Sequence, residues 1–152
     1  MLSVLALTAL AAAECGTDSI DTLHGDEPLV SQLLDAAKTF SVGMFSDGAF
    51  ESRDTVYIGQ LAGPSGPLHL AWVETIWGAS SCRASQQLIV FDDTLRPVGR
   101  YVSIERPEFV APDTLSIPYE EQPPTRWTFT GTLPECLEVA DDCFPLQGVV
   151  YP

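Results

Sequence analysis

Apolar residues recur at every second position along much of this chain, which restricts it to a fold made mainly of strands. Leu115, Ile117 and Tyr119 alternate with small or polar residues, and Trp127 and Phe129 alternate in the same way. A period of two is typical of a strand with one face on the core and the other in water. These segments therefore predict one-sided antiparallel strands.

Residues 68–77 are apolar on both faces of the predicted strand. Leu70, Trp72 and Ile76 share one parity, and Ala71, Val73 and Trp77 share the other. A strand that is apolar on both faces is usually central and covered on both sides. We therefore expect this segment to lie inside a sheet with packed layers above and below it.

A single segment changes to helical periodicity. Asp26 is a suitable N-cap, Pro28 suits the first turn, and Gly43 ends the segment. Its apolar stripe consists of Leu29, Val30, Leu33, Leu34, Ala37 and Phe40. We expect one helix that covers a sheet.

These patterns together predict an α+β fold that is mainly antiparallel β. We expect one N-terminal helix packed on a curved sheet, a small barrel or a sandwich of six to seven strands. The length of 152 residues suits one domain. We assign residues 27–152 to this single domain and residues 14–26 to an extended segment before it.

Residues 1–13 predict a signal peptide. Residues 2–13 are uncharged and mostly apolar, and they end in three alanines of the kind that signal peptidase accepts. The stretch is shorter than the roughly 20 apolar residues that span a bilayer, so we expect no membrane span. Six of the seven basic residues are Arg and Asn is absent, a bias that favours a bacterial source. The expected location is the periplasm or the extracellular medium.

Four cysteines in an exported chain favour two disulfides over free thiols. The short loop between Cys136 and Cys143 closes at the lowest entropic cost, which leaves Cys15 to pair with Cys82. Lipid attachment at Cys15 is the alternative, but Glu14 stands where a lipoprotein signal needs a small residue. The spacings do not match a zinc site, and we predict no metal.

The charge balance argues against anionic partners. The chain has 21 acidic and seven basic residues, for a formal net charge of −14. Such a surface repels nucleic-acid phosphates and anionic lipids, so neither is an expected partner. Solubility alone is a sufficient reason for the acidity, and attraction of a basic partner or a cation is the alternative.

The sequence lacks an assembled catalytic motif. It has neither a phosphate-binding loop nor a nucleophile elbow, and we predict no cofactor. Cys82 with His69 as its base is one catalytic alternative. The adjacent carboxylate pairs are another, although adjacent acids in turns are normally solvated; they are Asp92-Asp93, Glu120-Glu121 and Asp141-Asp142.

Four aromatic residues are candidates for ligand contact: Trp72, Trp77, Trp127 and Tyr101. Aromatic side chains at alternating strand positions more often pack in the core, and that is the alternative interpretation. We predict a non-catalytic binding or accessory module for an unidentified protein or small-molecule partner. An extracytoplasmic hydrolase that uses carboxylates or an unlocated metal, and a structural envelope protein, are the alternatives.

Overall fold

Residues 28–42, 50–77 and 83–148 are described by the computed structural model. They form one helix and nine strands in three antiparallel sheets, which confirms the predicted α+β class. The number of strands exceeds the expected six to seven because three strands are only four residues long, too short to show a clear period of two. The elements are α1 (Pro28–Val42), β1 (Phe50–Gly63), β2 (Gly66–Trp77), β3 (Arg83–Phe91), β4 (Pro97–Val102), β5 (Glu108–Ala111), β6 (Thr114–Tyr119), β7 (Gln122–Thr128), β8 (Cys136–Val139) and β9 (Asp142–Pro145).

Strands β1 to β4 form an antiparallel meander in chain order. β2 lies between β1 and β3, as its two apolar faces predict, and Val73 and Leu70 on opposite faces are both buried. The outer side of β4 is bridged by Gln147, whose backbone exchanges two hydrogen bonds with Arg100. The guanidinium of Arg100 also donates to the Gln147 side chain at 3.0 and 2.7 Å.

Helix α1 covers one face of this sheet. Leu33 and Ala37 pack with residues of β2 and β3 in one buried cluster, whose sheet members are Ala71, Val73, Ile89 and Phe91. Leu29 departs from the predicted stripe because it is exposed at the start of the helix. The expected caps Asp26 and Gly43 lie outside the described residues.

The opposite face of the meander packs on the two smaller sheets. Strands β5 to β7 form one of them, and the β8–β9 hairpin forms the other. Their core side chains join those of the meander in a second buried cluster, which includes Leu61, Leu70, Leu88, Val90, Tyr101, Leu115, Ile117, Leu137 and Val139. The chain therefore stacks a helix, a four-stranded sheet and a second layer of strands.

Pro118 lies near a strand end, and the disulfide joins the two cysteines that the sequence predicts. Pro118 lies at the end of β6, where a register shift between Ile117 and Tyr119 removes the need for its N–H. Cys136 and Cys143 are joined by a disulfide with Cα atoms 5.4 Å apart. Cys15, Cys82 and the proposed signal peptide lie outside the described residues. No helix within the described ranges has the length and apolar character needed to cross a membrane.

Candidate functional site

Two of the four predicted aromatic residues, Trp72 and Tyr101, are buried. Trp72 is buried and its indole Nε1–H donates to the Ile104 carbonyl at 2.8 Å. Tyr101 is buried and its hydroxyl donates to the Pro134 carbonyl at 2.8 Å, and burial raises the Tyr101 pKa. Core packing, the alternative stated above, accounts for both side chains.

The other two aromatic residues are Trp127, which packs against the core cluster that contains Tyr101, and Trp77. Trp127 is half-buried on β7, and its ring meets that of Phe129 edge to face with centroids 6.0 Å apart. Trp77 is the last residue of β2, and its side chain lies outside what the structure describes. Their role in ligand contact stays a prediction.

His69 is buried on β2, and Cys82, its partner in the alternative Cys–His pair, lies outside the described residues. His69 pairs with Phe91 of β3 in the strand register, and its Nδ1 lies 3.1 Å from the Tyr57 hydroxyl. The pairing of Cys82 with His69 stays an alternative from the sequence.

The three carboxylate pairs lie in three different turns. One pair follows β3, one joins β6 to β7, and one joins β8 to β9; they are Asp92-Asp93, Glu120-Glu121 and Asp141-Asp142. In the described ranges no three His, Cys, Asp or Glu side chains are placed to hold a metal ion. The structure therefore does not bring the three pairs together in one turn.

An open groove lies where the β1–β2 hairpin meets β5. It is lined by residues 60–63 of β1, by Gly66 and Pro67 of β2, and by residues 109–112. Its volume is about 940 Å³, and Gln60 is the single lining residue with a polar side chain. Val110 is half exposed to solvent, at 51 %, on the β5 wall. This groove is a candidate contact surface lined mainly by apolar side chains.

The groove follows the edge of a sheet. β1 is the outer strand of the meander and β5 is the outer strand of the second sheet. Four consecutive residues of β1 line the groove, and consecutive residues of a strand point to opposite faces. The groove therefore runs along the open edge of β1 and not along one of its faces.

Phe109, which lines the groove, packs against Gly59 of β1. The Phe109 ring lies over the Gly59 backbone so closely that a Cβ atom on Gly59 would be 2.7 Å from Cε2 of the ring. Gly59 has a φ of +143° and follows a register shift between Tyr57 and Gly59. A β-bulge with glycine thus admits the ring and brings β5 against β1.

Acidic residues border the groove. Glu108 directly precedes its β5 wall and Asp113 directly follows that wall, and both are exposed. The Asp93 carboxylate lies 3.3 Å from the position that a Cβ atom would take on Gly66. None of the lining residues carries a positive charge.

A hydrogen-bonded turn holds Asp93 in this place. Oδ1 of the preceding Asp92 accepts hydrogen bonds from the Thr94 hydroxyl, the Thr94 amide and the Arg96 amide at 2.7, 2.9 and 3.0 Å. The hydrogen bond from the Thr94 hydroxyl is the main cause of a lowered Asp92 pKa. Asp92 thus shapes the turn that places Asp93 beside the β1–β2 hairpin.

Sequence reasoning missed this groove because its β5 wall is a strand of four residues. The usable signal is that Pro107 and Pro112 bracket Phe109 and Val110, since prolines bound short strands. The other wall is formed where a tight turn joins β1 to β2, with Gly63, Gly66 and Pro67 among its lining residues. No protein-family model, curated protein or solved structure matches this chain.

Proposed function

We propose that this protein is an exported, non-catalytic binding domain that holds an extended segment of a protein partner in the groove between β1 and β5. The observation that carries the proposal is an open strand edge that borders an apolar groove. An open edge offers backbone N–H and C=O groups to another chain, and an adjacent groove offers contacts to its side chains.

The two edges of the meander differ in a way that favours β1 as the binding edge. β4 is bridged by Gln147 through two backbone hydrogen bonds. Residues 60–63 of β1 pair only with β2 among the described strands. A partner segment would therefore meet an available edge on the β1 side.

The shape of the groove suits a polypeptide better than a small molecule. Small-molecule pockets are concave enough to bury most of the ligand surface. This groove is open along its length, and its β1 wall spans four residues, or about 13 Å of extended chain. A strand of four or five residues matches that length and could use both the edge and the apolar walls.

The proposal includes export, for which the disulfide is the supporting observation. Disulfides persist in oxidising compartments, and Cys136 and Cys143 are paired. If residues 1–13 are removed as a signal, the intact mass of the protein recovered from the periplasm or medium will match a chain that starts at Glu14. A full-length chain with free thiols in the cytosol would contradict this part of the proposal.

A single exposed side chain provides the test of the binding site. Val110→Asp places a charge on the groove wall, and the fold should tolerate it because Val110 is 51 % exposed. Val98→Asp is the matched control, since Val98 is 39 % exposed on β4 at the opposite edge of the sheet. Circular dichroism and urea unfolding of both variants should match the wild type.

The probe is a phage-displayed library of random dodecapeptides panned against the immobilised wild-type protein. We expect enriched peptides to bind the wild type and Val98→Asp equally in fluorescence anisotropy. Val110→Asp should weaken binding by at least about tenfold, the loss expected when an apolar contact in an interface is removed. Failure to enrich any peptide, or equal binding to all three proteins, would refute the proposal.

A further inference from the structure

We propose that the bound segment is cationic and that it joins β1 as an added antiparallel or parallel strand, with basic residues flanking an apolar centre. This inference rests on the proposed function and specifies the chemistry of the partner. Three observations support it: the hydrogen-bonding pattern between β1 and β2, the walls of the groove and the charges at its border.

The alternation of hydrogen-bonded and non-hydrogen-bonded pairs between β1 and β2 shows which backbone groups of β1 face the partner. Ala62 pairs with Pro67, which has no N–H to donate. An antiparallel ladder accommodates proline where the paired residues do not exchange hydrogen bonds, and the peptide groups of such residues point away from each other. The N–H and C=O of Ala62 therefore point outward, and those of Gln60 follow because the strand period is two.

The walls of the groove define the centre of the segment. Gln60 and Ala62 are exposed on β1, and Phe109 and Val110 form the facing wall on β5. A strand added to β1 directs alternate side chains toward β5. Apolar residues at those alternate positions would cover Val110 and the exposed side of the groove.

The border of the groove defines the ends of the segment. Glu108 and Asp113 lie at the two ends of the β5 wall, and Asp93 lies beside Gly66 at the hairpin tip. The lining carries no positive side chain, and the whole chain has a formal net charge of −14. This arrangement attracts lysine or arginine and repels an acidic segment.

The probes are three capped synthetic peptides with a centre of alternating valine and threonine. The first has two lysines at each end, and the second has glutamates in their place. The third keeps the lysines but carries N-methyl groups on alternate central amides, which removes the donors needed for strand pairing. Dissociation constants are measured by fluorescence anisotropy at increasing concentrations of sodium chloride.

We expect the lysine peptide to bind the wild type at least about tenfold more tightly than either of the others, with affinity falling as salt rises. In nuclear magnetic resonance spectra the Gln60 and Ala62 amides should shift when it binds. Equal binding of the glutamate peptide would refute the charge argument. Unchanged binding of the N-methylated peptide would refute strand addition.

Matched variants distinguish the effect of the acidic residues at the groove border from the effect of the net charge of the protein. The groove variant combines Glu108→Gln, Asp113→Asn and Asp93→Asn, and the control combines Glu121→Gln, Glu135→Gln and Glu138→Gln, which are exposed residues outside the groove lining. Both remove three negative charges. We expect the groove variant to bind the lysine peptide at least about tenfold more weakly and the control to change binding by less than about twofold.

The outcomes distinguish this inference from the function on which it rests. If Val110→Asp abolishes peptide binding while the groove variant and the control bind alike, the proposed binding site is supported and the preference for a cationic segment is refuted. If Val110→Asp binds every peptide as the wild type does, both proposals fall.

Discussion

The aromatic ring of Phe109 and the backbone of Gly59 lie in direct contact, although 50 positions separate them in the chain. This contact joins the outer strand of the meander to the outer strand of the second sheet. It depends on the absence of a side chain at Gly59 and on a φ of +143°, which residues with a Cβ atom rarely adopt.

Gly59→Ala should therefore destabilise the fold and disturb the groove. The added methyl group meets the ring at 2.7 Å, and the backbone strain adds to this clash. We expect a loss of about 2–4 kcal/mol in the free energy of unfolding, measured in urea.

Gly131→Ala is the control for backbone strain alone. Gly131 has a φ of +102°, but a Cβ atom there would meet nothing within 4 Å. We expect a smaller loss of about 1 kcal/mol, because strain acts without a clash. Equal losses in the free energy of unfolding of the two variants would show that the clash with Phe109 does not contribute to the destabilisation.

Removal of the Cys136–Cys143 disulfide should weaken the β8–β9 hairpin. The two residues are seven positions apart, and Leu137 and Val139 of the same hairpin are buried. We expect the double variant Cys136→Ala, Cys143→Ala to lose about 2 kcal/mol because the unfolded chain regains the entropy of a closed loop. A urea midpoint equal to that of the wild type would contradict this account.

Tyr119 should resist ionisation at high pH. Its hydroxyl donates to the Asp142 carboxylate, and this hydrogen bond is the main cause that raises the Tyr119 pKa from 10.0 to about 12. The folded pKa lies above the unfolded one, so the contribution to stability is present below pH 10 and is lost as the pH rises toward 12.

Asp142→Asn removes the charge that holds this proton. In a tyrosinate absorbance titration we expect one tyrosine to move to lower pH in this variant. Asp141→Asn is the matched control, because it makes the same change in the neighbouring residue of the same turn and should leave the titration as in the wild type. A Tyr119 titration that both variants shift alike would indicate a general charge effect.

The β8–β9 turn offers a stabilising double substitution. Ala140 and Asp141 have φ values of 49° and 73°, and they connect the paired residues Val139 and Asp142. Two positive φ angles in a two-residue hairpin turn favour Asn-Gly. We expect Ala140→Asn with Asp141→Gly to raise the free energy of unfolding by about 1–2 kcal/mol in urea.

Asp93→Gly is the control for this substitution. Asp93 also lies in a hairpin turn, but it is not among the described non-glycine residues with positive φ. Glycine there relieves no strain and adds freedom to the unfolded chain, so we expect no gain in stability. A gain at Asp93 equal to that at the β8–β9 turn would refute the role of the positive φ angles.

The accuracy of the sequence predictions follows the length of the elements. The helix, β2 and β6 match the segments that the sequence predicts, because several periods of apolar residues identify each one. The four-residue strands β5, β8 and β9 carry too few periods and owe their stability to partners elsewhere in the chain. The candidate site was missed for the same reason, since one wall of the groove is β5.

The sequence alone determined which faces of the strands are buried, that β2 is central, and that the nearest pair of cysteines is joined. These features depend on local spacing: period two defines a strand face, and a short loop closes at low entropic cost. Only the tertiary structure decided that Tyr101 lies in the core and that the edges of β1 and β5 meet at a groove. The physical reason is that apolar burial is not directional, so an apolar face requires a cover without specifying which segment provides it.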